Sequence, residues 1–276
     1  MKTILAAVDF TAASHNAALY ATELAKTFNA KLVLINVFQL IPVPLSDLIV
    51  SVTPDDPADQ SAIELKEEAE MLDPTGIIDI ETYSVQGRAD QVIAEAVNKW
   101  QPDIVIAGMK KNNKGVRRLF GSTITALIGK INVPLLVIPE DVPFTTPKAI
   151  ALATDADINL QTNPHAVDTL CEIANRFYSK LYMVRIVKDV FDEIIEMHNR
   201  PVKLNQAVDQ LHPEYVYPYG NNVPKTLNEF AATKHITMLA MIAHQHNLFE
   251  RWFVTSTTRA MSFATNIPLL IVPEKK

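Results

Sequence analysis

The 276-residue sequence predicts an α/β protein of two tandem domains, residues 1–143 and 144–276, each a five-stranded parallel sheet flanked by helices. Three observations predict it. The first is an internal duplication: Lys114–Glu140 aligns without a gap on Leu248–Glu274, pairing Arg117 with Arg251, Ser122 with Ser256, Thr123 with Thr257, Asn132 with Asn266, Pro134 with Pro268 and Pro139 with Pro273. The second is that both copies open alike, KTILAAVD ending at Asp9 and KAIALATD ending at Asp155, and meet in the Pro-containing stretch Val142–Pro147. The third is the alternation, within each copy, of short β-rich runs with longer stretches of helical periodicity, the pattern of βαβ units.

In the first copy the apolar run Thr3–Val8 is expected to be a strand stopped by Asp9. Thr11 and Ser14 then offer capping hydroxyls to a helix expected over 13–28. LVLINV, in the strand expected at 31–37, is apolar at successive positions rather than alternating, which fits a strand covered on both faces. A helix is expected at 58–72, a strand at 77–84 and a helix at 89–99. IVIAG marks a strand at 103–107, the last helix is expected over 121–130, and LLVI closes the copy as a strand at 134–138. The second copy repeats the series from 149–154 to 268–272.

Composition narrows the function classes. A 48% hydrophobic, 20% charged chain is not a disordered one. A net charge of −6 and a pI near 5.7 argue against a broad basic surface for nucleic acid or anionic lipid. No apolar run approaches the ~18 residues of a membrane span, and the stretch ending at Val8 is too short for a signal peptide, so the protein is expected in the cytoplasm. The single cysteine, Cys171, has no disulfide partner and sits among apolar helical positions, as an inert buried thiol would.

In doubly wound sheets ligands bind beyond the carboxyl ends of the strands, so chemistry is sought just after Val8, Val37 and Ala107. The turn after Val8 lacks GxGxxG and no GxxxxGK[ST] occurs, which excludes a dinucleotide turn and a P-loop. It offers Asp9 with Thr11 and Ser14: helix caps, or a carboxylate that accepts from a base amino group or a ribose hydroxyl. The loop from Gly108 to Thr123 holds Gly108, Gly115 and Gly121 of the chain's seven glycines, with Lys110, Lys111, Lys114, Arg117 and Arg118 on it. Glycines that admit close approach, a helix beginning near Gly121 and the Ser122 and Thr123 hydroxyls outline an anion cradle. The alternative is a solvated basic loop with Ser122 as a helix cap.

At these residues the sequence resembles the universal stress protein family in its tandem form. The resemblance is carried by VD closing the first strand, the apolar strand ending at Val37, the turn Val85–Gly87, PDIVIAG at Pro102–Gly108, and PLLVIP and PLLIVP closing the copies. It implies a Rossmann-like, adenine nucleotide α hydrolase-like fold and a stress-response protein that binds ATP or AMP, with Mg²⁺ accompanying the nucleotide, as a sensor or regulator. In the ATP-binding branch the loop reads Gly, two residues, Gly, nine residues, Gly, then Ser or Thr. Gly108 and Gly121-Ser122 match its ends, while Lys111 stands at the middle glycine. The resemblance places Asp9, with Thr11 in the same turn, and the backbone of Val37 on the adenine side, and Gly108, Gly121, Ser122 and Thr123 around the phosphates. Lys111 either obstructs that approach with its Cβ or pairs its ammonium with a phosphate oxygen. The other outcome is a family member that binds no nucleotide and serves as an interaction scaffold for a protein partner. A phosphoryl-transfer enzyme would need a Mg²⁺ carboxylate near Gly108, for which Asp9 is the candidate; no nucleophile–base pair or carboxylate dyad is visible, so at most slow ATP hydrolysis is expected.

The second copy has lost the loop chemistry: Gly108 aligns with Ile242, Lys111 with Gln245, Gly115 with Phe249 and Gly121 with Thr255. It is expected to be empty of nucleotide, or adapted to something else, and by resemblance to pack on the first copy through the strands at 134–138 and 268–272; a homodimer is a further expectation. His244 and His246 follow its fourth strand and are weak candidates for a metal, with His235, Glu250 or Asp155 as a third ligand; the alternative is a polar loop. Phe38–Gln60 is a Pro-interrupted loop, either a lid or an edge excursion, and Asp189–Leu211 reads as two helical pieces broken at Pro201. YVYPYG, Tyr215–Gly220, is expected as an edge strand, and Trp100 and Trp252 in core or interface positions.

Overall fold

A computed structural model describes residues 1–39, 57–110, 121–153, 164–189, 191, 194, 206–243 and 267–273. The first half runs β1 (Thr3–Val8), α1 (Ala12–Phe28), β2 (Lys31–Phe38), α2 (Pro57–Leu72), β3 (Ile80–Gln86), α3 (Ala89–Trp100), β4 (Ile104–Met109), α4 (Ser122–Ile128) and β5 (Leu135–Pro139). The second runs β6 (Ala149–Ala153), α5 (Pro164–Phe177), β7 (Lys180–Val184), α6 (Gln206–Asp209), β8 (Glu214–Val216), α7 (Val223–Thr233), β9 (Met238–Ala243) and β10 (Leu269–Pro273).

The ten strands form one sheet in the order β3-β2-β1-β4-β5-β10-β9-β6-β7-β8. Each half is parallel throughout, and the halves join through antiparallel β5 and β10, with Val137 opposite Leu269, Leu136 opposite Leu270 and Leu135 opposite Ile271. All six residues are fully or almost fully buried, so the seam between the copies is continuous core. This is the last-strand pairing the resemblance implied. Within the first half the strand order reverses direction between β1 and β4, which places the switch point at the carboxyl ends of these two strands.

Both faces of the sheet are covered, which is why its strands read as unbroken apolar runs. Ile4, Ala6 and Val8 of β1 point into a cluster that includes Ala17, Leu24 and Leu65 of α1 and α2 and Leu170 and Ile173 of α5. Leu5, between them, joins the opposite cluster with Ile93, Val97 and Leu127 of α3 and α4 and Leu227 and Phe230 of α7. Across the seam α1 meets α5: the Phe28 and Phe177 rings lie 6.1 Å apart and Arg176 donates to the Thr27 carbonyl. Each helix ends on a left-handed residue after its phenylalanine, Asn29 at φ 51° and Tyr178 at φ 52°, a conserved trace of the duplication in three dimensions.

Several expected boundaries move, three of them for a local reason. β3 starts at Ile80 rather than 77, because the Asp73 carboxylate accepts from the Ile78 N–H at 2.7 Å and the Thr75 hydroxyl at 2.8 Å and holds 73–78 in a turn with Gly76 at φ 64°. β4 runs on to Met109, pairing Gly108 with Ile138 and Met109 with Pro139, so Gly108 belongs to the strand and not to the loop after it. At the other end of β4, Asp103 is a cap, accepting from the Lys2 and Thr3 N–H groups. α4 ends at Ile128, with Gly129 as its C-cap. The edge position expected for YVYPYG is found in β8, and Trp100 packs against Tyr83, ring centroids 4.3 Å apart. Residues 40–56 of the Phe38–Gln60 loop, Pro201 with most of its stretch, and Trp252 lie outside the described residues.

Candidate functional site at the carboxyl ends of β1 and β4

The turn from β1 into α1 is closed by its own hydroxyls. Thr11 is the N-cap of α1, its Oγ1 accepting from the Ser14 N–H, while Ser14 Oγ accepts from the Thr11 and Asp9 N–H groups at 3.2 and 3.1 Å. This closure forces Phe10, a bulky residue, into the left-handed region at φ 57°, a conformation that costs L-residues about 1–2 kcal/mol. The strain sets Asp9 at the lip of the sheet. One carboxylate oxygen, Oδ1, accepts from the Thr11 hydroxyl at 2.5 Å and its N–H at 3.2 Å; the other, Oδ2, faces the Lys110 ammonium at 3.4 Å. Burial pushes the Asp9 carboxyl up, but the hydrogen bonds from Thr11 and Ser14 and the Lys110 charge outweigh it and hold the group below its ordinary range. Asp9 is therefore an anion at neutral pH, with one oxygen fixed and the other against a cation.

Gly108 has a reason other than the expected one. A Cβ there would stand 2.2 Å from the Ala13 carbonyl oxygen, 2.4 Å from its carbon and 2.7 Å from the Ser14 nitrogen. The missing side chain is what lets the first turn of α1 lie on β4, and with it brings Asp9 beside Lys110. Gly121 is the opposite case: it is the N-cap of α4 at φ −60°, and among the described residues nothing lies within 4 Å of where its Cβ would be. Ser122 beside it is exposed and Thr123 half-buried.

Val37 sits where expected, half-buried at the carboxyl end of β2. Pairing with β1 stops at Val8 opposite Asn36, one residue earlier, while pairing with β3 continues through Val37 opposite Val85. Asn36, the β2 partner of Val8, belongs to a polar network that sequence reasoning did not single out. Buried Asn36 donates from Nδ2 to the Val8 carbonyl at 2.8 Å and accepts at Oδ1 from the Ser61 hydroxyl at 2.7 Å, and Ser61 lies 2.6 Å from the Ser84 hydroxyl. The polar residue at position 36 of an otherwise apolar strand was the available signal. On the next turn of α1, His15 Nδ1 lies 2.8 Å from the Glu68 carboxylate, and Asn16 donates to the Pro139 and Val142 carbonyls.

The structure thus brings Asp9, Thr11 and Gly108 together with Lys110, places Val37 along the same strand ends, and sets Gly121, Ser122 and Thr123 at the start of α4. Lys111 lies outside the described residues, as do Gly115, Asp155, His244 and His246. In the second half Ile242 occupies the place of Gly108, opposite Val272 as Gly108 is opposite Ile138, and its side chain is buried in the core. Among the described residues no group of three or more His, Cys, Asp and Glu side chains is placed to hold a metal ion. Asp9 stands beside a cation, Lys110, rather than in a carboxylate cluster, and the exposed ammonium and hydroxyl groups at this edge suit an anion. Among the described residues no helix is long and apolar enough to cross a membrane.

The sequence model of the universal stress protein family matches residues 1–139. The chain belongs to this family. A universal stress protein from Archaeoglobus fulgidus DSM 4304 is similar over 98% of this chain and 98% of its own, with 14% identity and a TM-score of 0.71. A protein of unknown function from Pseudomonas aeruginosa PAO1 is similar over 99% of this chain and 93% of its own, with 13% identity and a TM-score of 0.62. At these identities the likeness is one of fold, and it extends over both halves of the universal stress protein chain described here. No curated protein sequence matches the chain.

Proposed function

We propose that the protein binds an adenine nucleotide, ATP or AMP, at the carboxyl ends of β1 and β4 and acts as a cytoplasmic stress sensor or regulator. Residues 144–276 form a companion domain whose own loop has lost the nucleotide groups. The observation that carries this reading is the juxtaposition, at the switch point of the sheet, of an ionised acceptor and a cation, Asp9 Oδ2 and Lys110 Nζ at 3.4 Å. The carboxylate suits the amino group of a base or a hydroxyl of a ribose, and the ammonium, with the Ser122 and Thr123 hydroxyls, suits phosphate oxygens. Mg²⁺ would arrive on those phosphates rather than on a protein carboxylate.

Isothermal titration with ATP, ADP and AMP, with and without Mg²⁺, tests the proposal, together with mass spectrometry of any small molecule released on denaturation. Saturable binding near one nucleotide per chain is expected, abolished in Gly121→Val combined with Ser122→Ala. Among the described residues nothing lies within 4 Å of the Gly121 Cβ direction, and an unchanged melting temperature of the unliganded variant shows that a lost ligand reports on the site rather than on folding. No heat, no shift in melting temperature and no co-purified nucleotide would reject the proposal in favour of an interaction scaffold.

A further inference from the structure

We propose that Lys110 determines the ligand class of the β1–β4 site: its ammonium covers Asp9 until a phosphate draws it away, so the site favours nucleoside phosphates over nucleosides. This rests on the nucleotide reading above and adds the residue that enforces the preference.

The backbone at this point is fixed. Met109 is buried and paired with Pro139, and its carbonyl accepts from the Glu140 N–H at 3.0 Å. Lys110 is the next residue, with a long side chain that is 62% exposed. Asp9 is fixed as well, because the Thr11 hydroxyl and N–H hold Oδ1 and the Ser14 hydroxyl holds its N–H. The oxygen left to a ligand is Oδ2, the one Lys110 faces. A neutral ligand that hydrogen-bonds to Oδ2 therefore displaces an ammonium that gains nothing in return. A phosphorylated ligand offers that ammonium another anion, and a lysine, a point charge on a flexible stem, reaches it without the backbone moving. The pair is solvent-exposed on both sides and correspondingly weak. Displacing Lys110 thus costs a neutral ligand no more than about five-fold in affinity, and the phosphate contact contributes the larger part of the preference.

The experiment compares adenosine, AMP and ATP by isothermal titration on the wild-type chain, Lys110→Met and Lys110→Arg. In Lys110→Met, adenosine is expected to bind about two- to five-fold more tightly, because Asp9 is uncovered. AMP and ATP lose a charge-assisted hydrogen bond to phosphate and are expected to bind about ten-fold more weakly, so the preference for AMP over adenosine falls by more than ten-fold. Lys110→Arg keeps the charge and should keep the preference, which separates the ammonium's role from any effect on folding. If all three ligands shift by one common factor in Lys110→Met, Lys110 is a structural partner of Asp9 and the inference is overturned while the nucleotide reading stands. If the wild-type chain binds none of the three, both are overturned.

Discussion

Replacing Gly108 by alanine adds one carbon atom and should be among the most damaging small changes in the first half. The new Cβ would lie 2.2 Å from the Ala13 oxygen and 2.4 Å from the Ala13 carbon, both backbone atoms, so no side chain can turn aside to make room. β4 is held on both sides, by β1 and β5, and the atom that must give is in the first turn of α1. Overpacking of this kind costs about 1–3 kcal/mol. Moving the turn also opens the Thr11–Ser14 capping box, worth about 0.5–2 kcal/mol. The combined expectation is a loss of about 2–4 kcal/mol, measured as the shift of the urea midpoint at unchanged slope. Trp100, on Tyr83 of β3, gives a fluorescence signal from the same half. Gly121→Ala is the control, since among the described residues it meets nothing within 4 Å, and should stay within about 1 kcal/mol of wild type. A Gly108→Ala protein within about 0.5 kcal/mol of wild type would refute the claim that this glycine exists to admit α1.

Four further outcomes are expected from the same geometry. Asn36→Leu takes the side-chain donor from the buried Val8 carbonyl and the Asn36 acceptor from the Ser61 hydroxyl, which keeps Ser84, and should cost about 1–3 kcal/mol by urea unfolding. Tyr20→Phe removes a hydroxyl that is buried without a hydrogen-bond partner among the described residues while keeping the edge contact to Phe144 at 4.8 Å, so it should be neutral or stabilising by up to about 1 kcal/mol; a clear loss would mean the hydroxyl is satisfied. The Lys130 ammonium, bonded to buried Asp90 between α3 and the end of α4, holds that carboxyl below its ordinary value, with Arg88 adding to the effect. A lowered folded pKa gives stability that is complete above the unfolded value near 4 and is lost as the pH falls through the folded one. The gap in urea midpoint between wild type and Lys130→Met should therefore be constant near neutrality and close below about pH 4, and a gap independent of pH down to 2 would contradict the pairing. Burial pushes the Cys171 thiol up to about 12, with Asp168 adding to it, so Ellman's reagent at pH 8 should react with the unfolded chain and not with the native one.

The parts of this architecture that could be read in the sequence are those whose cause is local or periodic. LVLINV and IVIAG announce strands because a sheet with helices on both faces needs apolar residues at every position, and Thr11 and Ser14 announce α1 because capping hydroxyls act within three residues. The Asn36–Ser61–Ser84 network could not be read that way, since its members come from β2, α2 and β3 and meet only once the sheet is assembled. Nor could the left-handed Phe10, whose conformation is imposed by bonds around it rather than by its own preference. Gly108 shows the limit most clearly. In sequence it looks like the first glycine of a phosphate loop, and its replacement by Ile242 looks like a lost phosphate contact. In the folded chain position 108 is a strand residue whose absent side chain decides how closely α1 approaches, and hence where Asp9 stands relative to Lys110. A side chain at position 108 would therefore disturb the joint between β4 and α1, and the acceptor–cation pair depends on that joint. It follows that an isoleucine at position 108, the residue that position 242 carries, would separate Asp9 from Lys110 even with every other residue of the first copy kept.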